Sequence, residues 1–366
     1  MNKRHYTLGA GAIVLAASGW YANHRFSSDF AAQQRQTANA RWRVSGSHLS
    51  GEVPEHREST ESTAVRTRDA VASEKDQTPS PDVEVFARAA WGGKFGELGR
   101  ERPEQANPEG PMSVAASTNG DVWILDQVNA RLVHYDAKGA VASVVPGLSG
   151  SPQDLVAAPN GALLILDRLK EPSVSILSSD GAKLASLTLA ENAKMSPGQI
   201  RDVFVHNGDV YVEAERTVRV GTLAGQPDPE LTEIPGKPLP NGGYAKAFVG
   251  SADDGFYVTI QDDLPLRLRF TRAYRSSSGV GRIVALEADA AGIVYVATTQ
   301  LDAAGAELGV QVTCIEPSRG EVVGTASLPP HRLPEESFRE FSVLPAGGFV
   351  YAHMTEQGVE LLRGHC

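Results

Sequence analysis

Only two cysteines occur in this chain of 366 residues, and their scarcity excludes several protein classes. A disulfide-dense scaffold needs more cysteines, and so does a four-cysteine zinc or iron–sulfur site within one chain. The 36 glycines and 22 prolines follow no Gly-X-Y period, which excludes collagen. Hydrophobic residues at 41% and charged residues at 21% are otherwise typical of a globular protein rather than a polytopic membrane protein.

Basic residues are also fewer than acidic residues, 34 against 44. The formal net charge is -10, and residues 81–366 alone hold 24 basic and 36 acidic residues. An acidic body repels phosphate groups, so nucleic acid and anionic lipid surfaces are excluded as partners of this region. The chain also lacks a Gly-x-Ser-x-Gly elbow, a His-Glu-x-x-His helix and a phosphate-binding loop, so no standard nucleophile is indicated.

The N-terminal residues 1–22 have the layout of a targeting segment. Lys3 and Arg4 precede an apolar run from Thr7 to Ala22. A helix of this run would reach about 24 Å, short of the roughly 30 Å hydrocarbon core of a membrane. We therefore expect export to the periplasm or the cell surface, through a cleaved signal peptide or an uncleaved anchor. Membrane contact is expected only through this segment.

Residues 23–80 are predicted to form a flexible tether. This stretch is rich in Ser, Thr, Gln, Arg and Glu and poor in large apolar residues. Such a composition cannot bury enough apolar surface to offset the conformational entropy that folding removes. The folded domain is therefore expected over residues 81–366.

Residues 81–366 repeat a pattern of two short apolar strands joined by a Gly-containing turn, followed by further strands. The turns include Asn119-Gly120, Asn160-Gly161, Asn207-Gly208 and Asp254-Gly255. Asn and Gly tolerate the positive φ that tight hairpins need, so these dipeptides predict hairpins. Six units over 286 residues average about 48 residues, close to the length of a propeller blade. The sequence thus predicts an all-β, six-bladed β-propeller that is monomeric; seven blades would need more residues.

Two units are irregular. The sixth unit has only three strands before the chain ends, whereas the strand-like segment Asp82–Trp91 belongs to no unit. We therefore expect this segment to supply the outer strand of the last blade, which closes the ring and covers a strand edge. In the fourth unit, the inner strand is expected to begin at Lys246, and the fourth strand to run from Tyr274 to Val280.

The first unit resembles the NHL-type repeat. The resemblance is carried by Pro111–Ala115, by the strand that ends in Asp126, by Asn129-Ala-Arg131, and by Tyr135-Asp136 before Gly139. Ser113 stands where that family usually has Gly, the second unit lacks the Asn-x-Arg step, and the later units match only in spacing. The resemblance implies a six-bladed propeller but no activity, because propellers host many functions.

Residues that begin the inner strands are expected to line the mouth of the central channel. Aligning the units places charged residues there from four units, and we take these as binding candidates: Asp154, Arg201, Asp202, Lys246, Arg339 and Glu340. Charges that converge in a cleft can bind a polar ligand or a cation. The structural alternative is that they neutralise one another and fix the packing of the blades.

A second resemblance suggests a metal. Glu109-Gly110-Pro111 is similar to the Glu-Gly-Pro opening of calcium-dependent gluconolactonase-like propellers, in which the glutamate is a ligand. Asn241-Gly242 is similar to the segment that holds that family's metal-binding asparagine. The resemblance implies a Ca²⁺ site formed by Glu109, Asn241 and a channel aspartate, Asp154 or Asp202, and hydrolysis of a lactone or ester.

Cys314 and Cys366 fall near the third strands of the last two units and are a candidate disulfide in an oxidising compartment. The pairing requires Cα atoms within about 7 Å. Taken together, the sequence predicts an exported, non-enzymatic propeller without a cofactor, serving as a binding or scaffold module for a protein or glycan partner in the cell envelope. The alternative is the calcium-dependent hydrolase.

Overall fold

The computed structural model describes residues 83–192, 194–250, 255–263 and 265–366. The predicted signal or anchor segment and the predicted tether lie outside these residues. In the described part, 24 β-strands form six four-stranded sheets, and one 3₁₀ turn spans Pro197–Gln199. No helix in this part of the chain is both long and apolar enough to cross a membrane.

The first three blades are antiparallel meanders. Blade one contains β2 (Ser113–Ala116), β3 (Val122–Asp126), β4 (Arg131–Tyr135) and β5 (Val141–Pro146). Blade two contains β6 (Asp154–Ala157), β7 (Leu163–Asp167), β8 (Ser173–Leu177) and β9 (Lys183–Thr188). Blade three contains β10 (Asp202–His206), β11 (Asp209–Glu213), β12 (Thr217–Thr222) and β13 (Glu233–Ile234).

Most strands of blades four to six are longer. Blade four contains β14 (Lys237–Pro238), β15 (Tyr244–Val249), β16 (Gly255–Asp262) and β17 (Arg267–Arg275). Blade five contains β18 (Gly279–Ala288), β19 (Val294–Leu301), β20 (Glu307–Glu316) and β21 (Glu321–Leu328). Blade six contains β22 (Phe341–Val343), β23 (Phe349–Thr355), β24 (Gly358–Gly364) and β1 (Val83–Ala90).

In each of blades one to five, the strand that comes first in the chain lines the central channel. In blade six, this strand is β22. We call the end of the channel at which these strands begin the top, and the other end the bottom. The strand β1 pairs antiparallel with β24, from Val83 opposite Gly364 to Ala90 opposite Gly358. Both the six-bladed architecture and the closure of the last blade by an N-terminal strand are therefore confirmed.

The predicted hairpin turns form as their residues require. Gly120, Gly161 and Gly208 have φ of 85°, 84° and 83°, and Asn207 also adopts a positive φ of 51°. Each turn joins the channel strand of its blade to the second strand. Local turn chemistry thus sets the register in the first three blades.

Three of the residues that carry the NHL-type resemblance, Asp126, Asn129 and Arg131, form one hydrogen-bonded group in blade one. The buried Asp126 carboxylate accepts hydrogen bonds from Arg131 Nε at 2.8 Å and Asn129 Nδ2 at 2.8 Å. Arg131 also donates to the backbone oxygens of Gly93 and Glu97, in the segment after β1. This group therefore ties the closing segment of the ring to blade one.

Blade four differs from the sequence prediction. The strand that lines the channel is β14, so Lys246 lies on the second strand of the blade and is exposed. The prediction that the inner strand begins at Lys246 is therefore wrong. The expected fourth strand, from Tyr274 to Val280, is also wrong. Tyr274 belongs to β17, which ends at Arg275, and Val280 already belongs to β18 of blade five. A channel strand of two residues is too short to show a period-two pattern in sequence.

Hydrophobic packing joins five of the six pairs of neighbouring blades. Among the described residues, one buried apolar cluster lies between each of blades one and two, two and three, four and five, five and six, and six and one. None of these clusters joins blade three to blade four. We call the space between these two blades the 3–4 seam.

Candidate functional site

Arg339 occupies the centre of the channel. Its guanidinium donates to both carboxylate oxygens of Asp154, at 2.8 and 2.7 Å, and to Glu287 Oε1 at 3.1 Å. It also donates to Asp202 and, at 2.9 Å, to the backbone oxygen of Val203. From the segment that leads into blade six, one side chain therefore reaches blades two, three and five.

Neighbouring groups complete this channel cluster. Ser113 Oγ donates to Asp154 Oδ1 at 2.8 Å, which adds blade one. Lys237 forms an ion pair with Asp202 and places its ammonium 5.4 Å from the centre of the Phe204 ring, which adds blade four. Residues of all six blades, or of the segments leading into them, thus meet in one network.

The charges in the channel cluster determine its protonation. Burial by itself raises the pKa of the Asp202 carboxyl, but the positive charges of Arg339 and Lys237 outweigh burial and hold that pKa below its ordinary value. Burial lowers the pKa of Arg339, and Asp154 and Asp202 more than compensate, so it lies well above its ordinary value. Asp202 and Arg339 therefore stay ionised near neutral pH.

The structure brings three of the six binding candidates together: Asp154, Asp202 and Arg339. Arg201 points away, with a side chain 65% exposed and Glu213 at 3.7 Å. Glu340 pairs with Arg282 at 2.8 Å instead of joining the cluster. Lys246 lies on the second strand of blade four, as described above.

Sequence reasoning missed Lys237 and Glu287. Lys237 could have been found, because Asn241-Gly242 is the same turn dipeptide that follows the channel strands of blades one to three. The strand before that turn was therefore the channel strand. Glu287 carries no comparable signal. Bulges within β18, at Val280/Ile283 and Ile283/Ala285, shift which residues face the channel.

A cavity of about 400 Å³ opens at the bottom of the channel. Its walls come from the channel strands and the loops that follow them, and they are mainly apolar, as at Ala116, Ala157 and Leu239. Lys237, Glu287 and Arg339 also line it. A molecule that enters from the bottom would therefore meet charges that are already paired with one another.

The residues proposed for calcium do not converge. Glu109 lies at the top of the channel, where its backbone forms isolated β-bridges with Glu101 and Glu336. Asn241 follows β14 at the bottom, and its side-chain amide donates to the backbone oxygen of Ala291 at 3.0 Å. Asp154 and Asp202 are bound to Arg339. No group of three or more His, Cys, Asp or Glu side chains in the described residues is arranged to hold a metal ion. The residues present do not fit the metal site that the gluconolactonase resemblance implied.

We therefore expect Ca²⁺ to leave the stability of the protein unchanged. The midpoint of thermal unfolding of the full chain, measured after EDTA and again with millimolar Ca²⁺, should be the same. A site that binds only the native state would raise the midpoint once Ca²⁺ exceeds its Kd. A rise that Glu109→Gln abolishes, and that the exposed control Glu104→Gln retains, would contradict this expectation.

Cys314 and Cys366 form a disulfide in the structure, with their Cα atoms 6.2 Å apart. Cys314 is fully buried on β20 of blade five, and Cys366 follows β24 of blade six. Gly324 on β21 leaves room for the bridge, because a β-carbon there would lie 2.6 Å from the Cys366 carbonyl carbon. The bridge therefore fastens the C-terminus of the chain to the neighbouring blade.

The 3–4 seam is lined by aromatic and polar side chains. On blade three, Val203, Val210 and Val212 pack towards blade two. Side chains alternate across a strand, so Phe204 and Tyr211 face blade four. Their rings stack with centroids 5.3 Å apart, and the position of Lys237 over Phe204 agrees with this orientation.

Blade four presents a matching face. Phe256, Val258 and Ile260 pack towards blade five, so the residues between them face blade three. Tyr257 stacks on Phe248 of the adjacent strand, with ring centroids 5.2 Å apart. Phe248 is 49% exposed and Tyr257 is 38% exposed. An aromatic pair thus stands open to solvent, where the other seams are filled.

Comparison with known proteins adds similarity of fold but no function. No family model and no curated protein matches the chain. Among solved structures, Kuenenia stuttgartiensis hydrazine synthase has 12% identity over 69% of this chain and 80% of its own, with a TM-score of 0.44. A DUF4221 family member from Bacteroides vulgatus has 11% identity over 77% and 98%, with a TM-score of 0.43. A streptogramin B lyase has 11% identity over 72% and 96%, with a TM-score of 0.38. The assignment of six blades rests on the strand order.

Proposed function

We propose that this protein is an exported, non-enzymatic propeller that binds a protein or glycan partner in the cell envelope. The observation that carries the proposal is the exposed Phe248–Tyr257 pair in the 3–4 seam. Contiguous exposed apolar patches rimmed by polar side chains mark interaction sites, and the two stacked rings form one contiguous patch. Aromatic residues also supply a large contact area at a low cost in side-chain entropy.

The state of the channel supports a non-enzymatic role. A general acid or base must be free to exchange a proton with a substrate near the working pH. Asp154 and Asp202 are instead held by Arg339, and the pKa of Asp202 lies below its ordinary value. These carboxylates are arranged to hold blades together, so we assign binding to the 3–4 seam and not to the channel.

Two features support a location in the envelope. The Cys314–Cys366 bridge suits an oxidising compartment, and residues 1–22 have the charge and hydropathy layout of a targeting segment. The tether proposed for residues 23–80 would hold the propeller away from the membrane. The NHL-type resemblance of blade one is compatible with such a binding module, because propellers of that shape present large rigid loop surfaces.

Photocrosslinking from the seam tests the proposal. Tyr257 is replaced by p-benzoylphenylalanine in the full chain, expressed in the organism that makes it, and the cells are irradiated. We expect a covalent adduct of higher mass from position 257. The matched control is the same replacement at Phe95, which is 67% exposed outside the seam. Adducts at neither position, or equal adducts at both, would overturn the proposal.

A further inference from the structure

We infer that the 3–4 seam binds a neutral oligosaccharide, with sugar rings packed against the Phe248–Tyr257 pair. This inference rests on the proposed binding function and names the ligand class of the same site. Five seams hold buried apolar clusters, and the described residues of the 3–4 seam hold none. The seam presents instead a mixture of aromatic rings and polar groups.

The geometry of the aromatic pair suits sugar rings. Phe248 and Tyr257 lie opposite each other on β15 and β16, and their planes differ by only 9°. A pyranose has one face of C–H groups that packs flat against an aromatic face. The two rings stack on each other, so the outer face of each ring is the surface against which a sugar can pack, and the pleated sheet holds both rings in place. Ligand sites generally combine such apolar surfaces with a few polar groups that fix orientation.

The polar groups beside the Phe248–Tyr257 pair can form hydrogen bonds with sugar hydroxyls. Thr259 lies on the same face of β16 as Tyr257, and its hydroxyl is 3.0 Å from that of Thr271 on β17. Lys246 lies opposite Thr259 on β15 and is exposed. Hydroxyls donate and accept, and an ammonium donates, so together they can satisfy the vicinal hydroxyls of a sugar.

The charges of the seam argue for an uncharged ligand. Arg219 lies 3.6 Å from Asp209 and 3.4 Å from Asp228. Lys237 is paired with Asp202. Lys246 lies close enough to Glu213 to oppose the effect of burial on the pKa of that carboxyl. Positive and negative groups thus compensate each other, which disfavours an anionic polysaccharide or a strongly charged peptide.

Direct binding to soluble oligosaccharides tests the inference. The full chain is titrated calorimetrically with four neutral probes: cellohexaose, laminarihexaose, chitohexaose and maltohexaose. We expect saturable binding of at least one probe. The double variant Phe248→Ala/Tyr257→Ala should weaken that binding at least tenfold, whereas Tyr257→Phe and the exposed control Phe95→Ala should retain it. Saturable binding by none of the four, or binding that the double variant leaves unchanged, would overturn the inference.

A second measurement needs no variant. In the unmodified protein, the bound probe should slow amide hydrogen exchange in Tyr244–Val249 and Gly255–Asp262, the strands that carry the pair. Protection confined to other blades would overturn the inference. The crosslinking experiment separates it from the parent proposal: a protease-sensitive adduct at position 257 without sugar binding keeps the binding module and rejects the glycan. Absence of both adduct and sugar binding rejects both.

Discussion

Replacing Arg339 by methionine is expected to lower the free energy of unfolding by about 3–5 kcal/mol. Its side chain is 13% exposed and is the common partner of Asp154, Asp202 and Glu287. Methionine fills much of the volume but leaves these carboxylates without a counter-charge on that side, in a largely desolvated place. The midpoint of thermal unfolding should fall by roughly 10 °C.

Two variants serve as controls for this result. Arg201→Met removes the same charge from a side chain that is 65% exposed, and we expect a loss below about 1 kcal/mol. Arg339→Lys keeps the charge but cannot form the bidentate contact with Asp154, so the loss in free energy of unfolding should be intermediate. Equal losses for Arg339→Met and Arg201→Met would show that the channel network does not hold the blades together.

The effect of Arg339→Met should depend on pH with a defined sign. The pKa of Asp202 is lowered in the folded protein, so its contribution to stability is present above the unfolded pKa and is lost as the pH falls through the folded pKa. In the variant, loss of the Arg339 charge is expected to raise the pKa of Asp202, so that this carboxylate protonates more readily. The stability difference should therefore shrink as the pH is lowered from 7 towards about 4. A constant difference over this range would contradict the assignment.

Breaking the disulfide should have the second large effect. The bridge closes a sequence separation of 52 residues, for which the chain-entropy relation gives about 4 kcal/mol. Cys366→Ser should therefore lower the midpoint of thermal unfolding by about 10 °C. We choose Cys366 because it is exposed, whereas a hydroxyl at the fully buried Cys314 would add a desolvation cost of its own.

Reduction supplies the control for this prediction. Dithiothreitol should lower the midpoint of the unmodified protein to that of Cys366→Ser and should leave the variant unchanged. A midpoint that is insensitive to both treatments would mean that blade six is held without the bridge, through β1 and the channel network alone.

Sequence patterns predicted correctly those parts of the fold that depend on local chemistry. The Asn-Gly turns at Gly120, Gly161 and Gly208 need positive φ and adopt it, so the first hairpins of three blades lie where expected. The segment from Val83 was assigned to the last blade because an unpaired strand and a blade with one strand missing must complement each other. The hairpins follow from residues adjacent in sequence, and the closing strand follows from a count of strands.

Of the six binding candidates, the sequence placed three correctly in the channel cluster. Asp154, Asp202 and Arg339 begin or precede channel strands and do meet, because those strands begin at the same end of the channel. Lys246 was misplaced because a channel strand of two residues has no recognisable pattern, and Glu287 was missed because bulges in β18 alter its register. Which charge pairs with which is decided by distances across the channel between residues far apart in sequence.

The number of blades, their turns and the closure of the ring could be predicted from the sequence, since they follow from short-range backbone preferences and alternating hydrophobicity. The folded ring, in contrast, sets which blades Arg339 joins, brings the candidate pair Cys314 and Cys366 within bonding distance, and leaves the aromatic pair of the 3–4 seam exposed. Each of these depends on which face of a strand meets which neighbouring blade. That choice is made by packing of the whole ring and leaves no signal in any single segment.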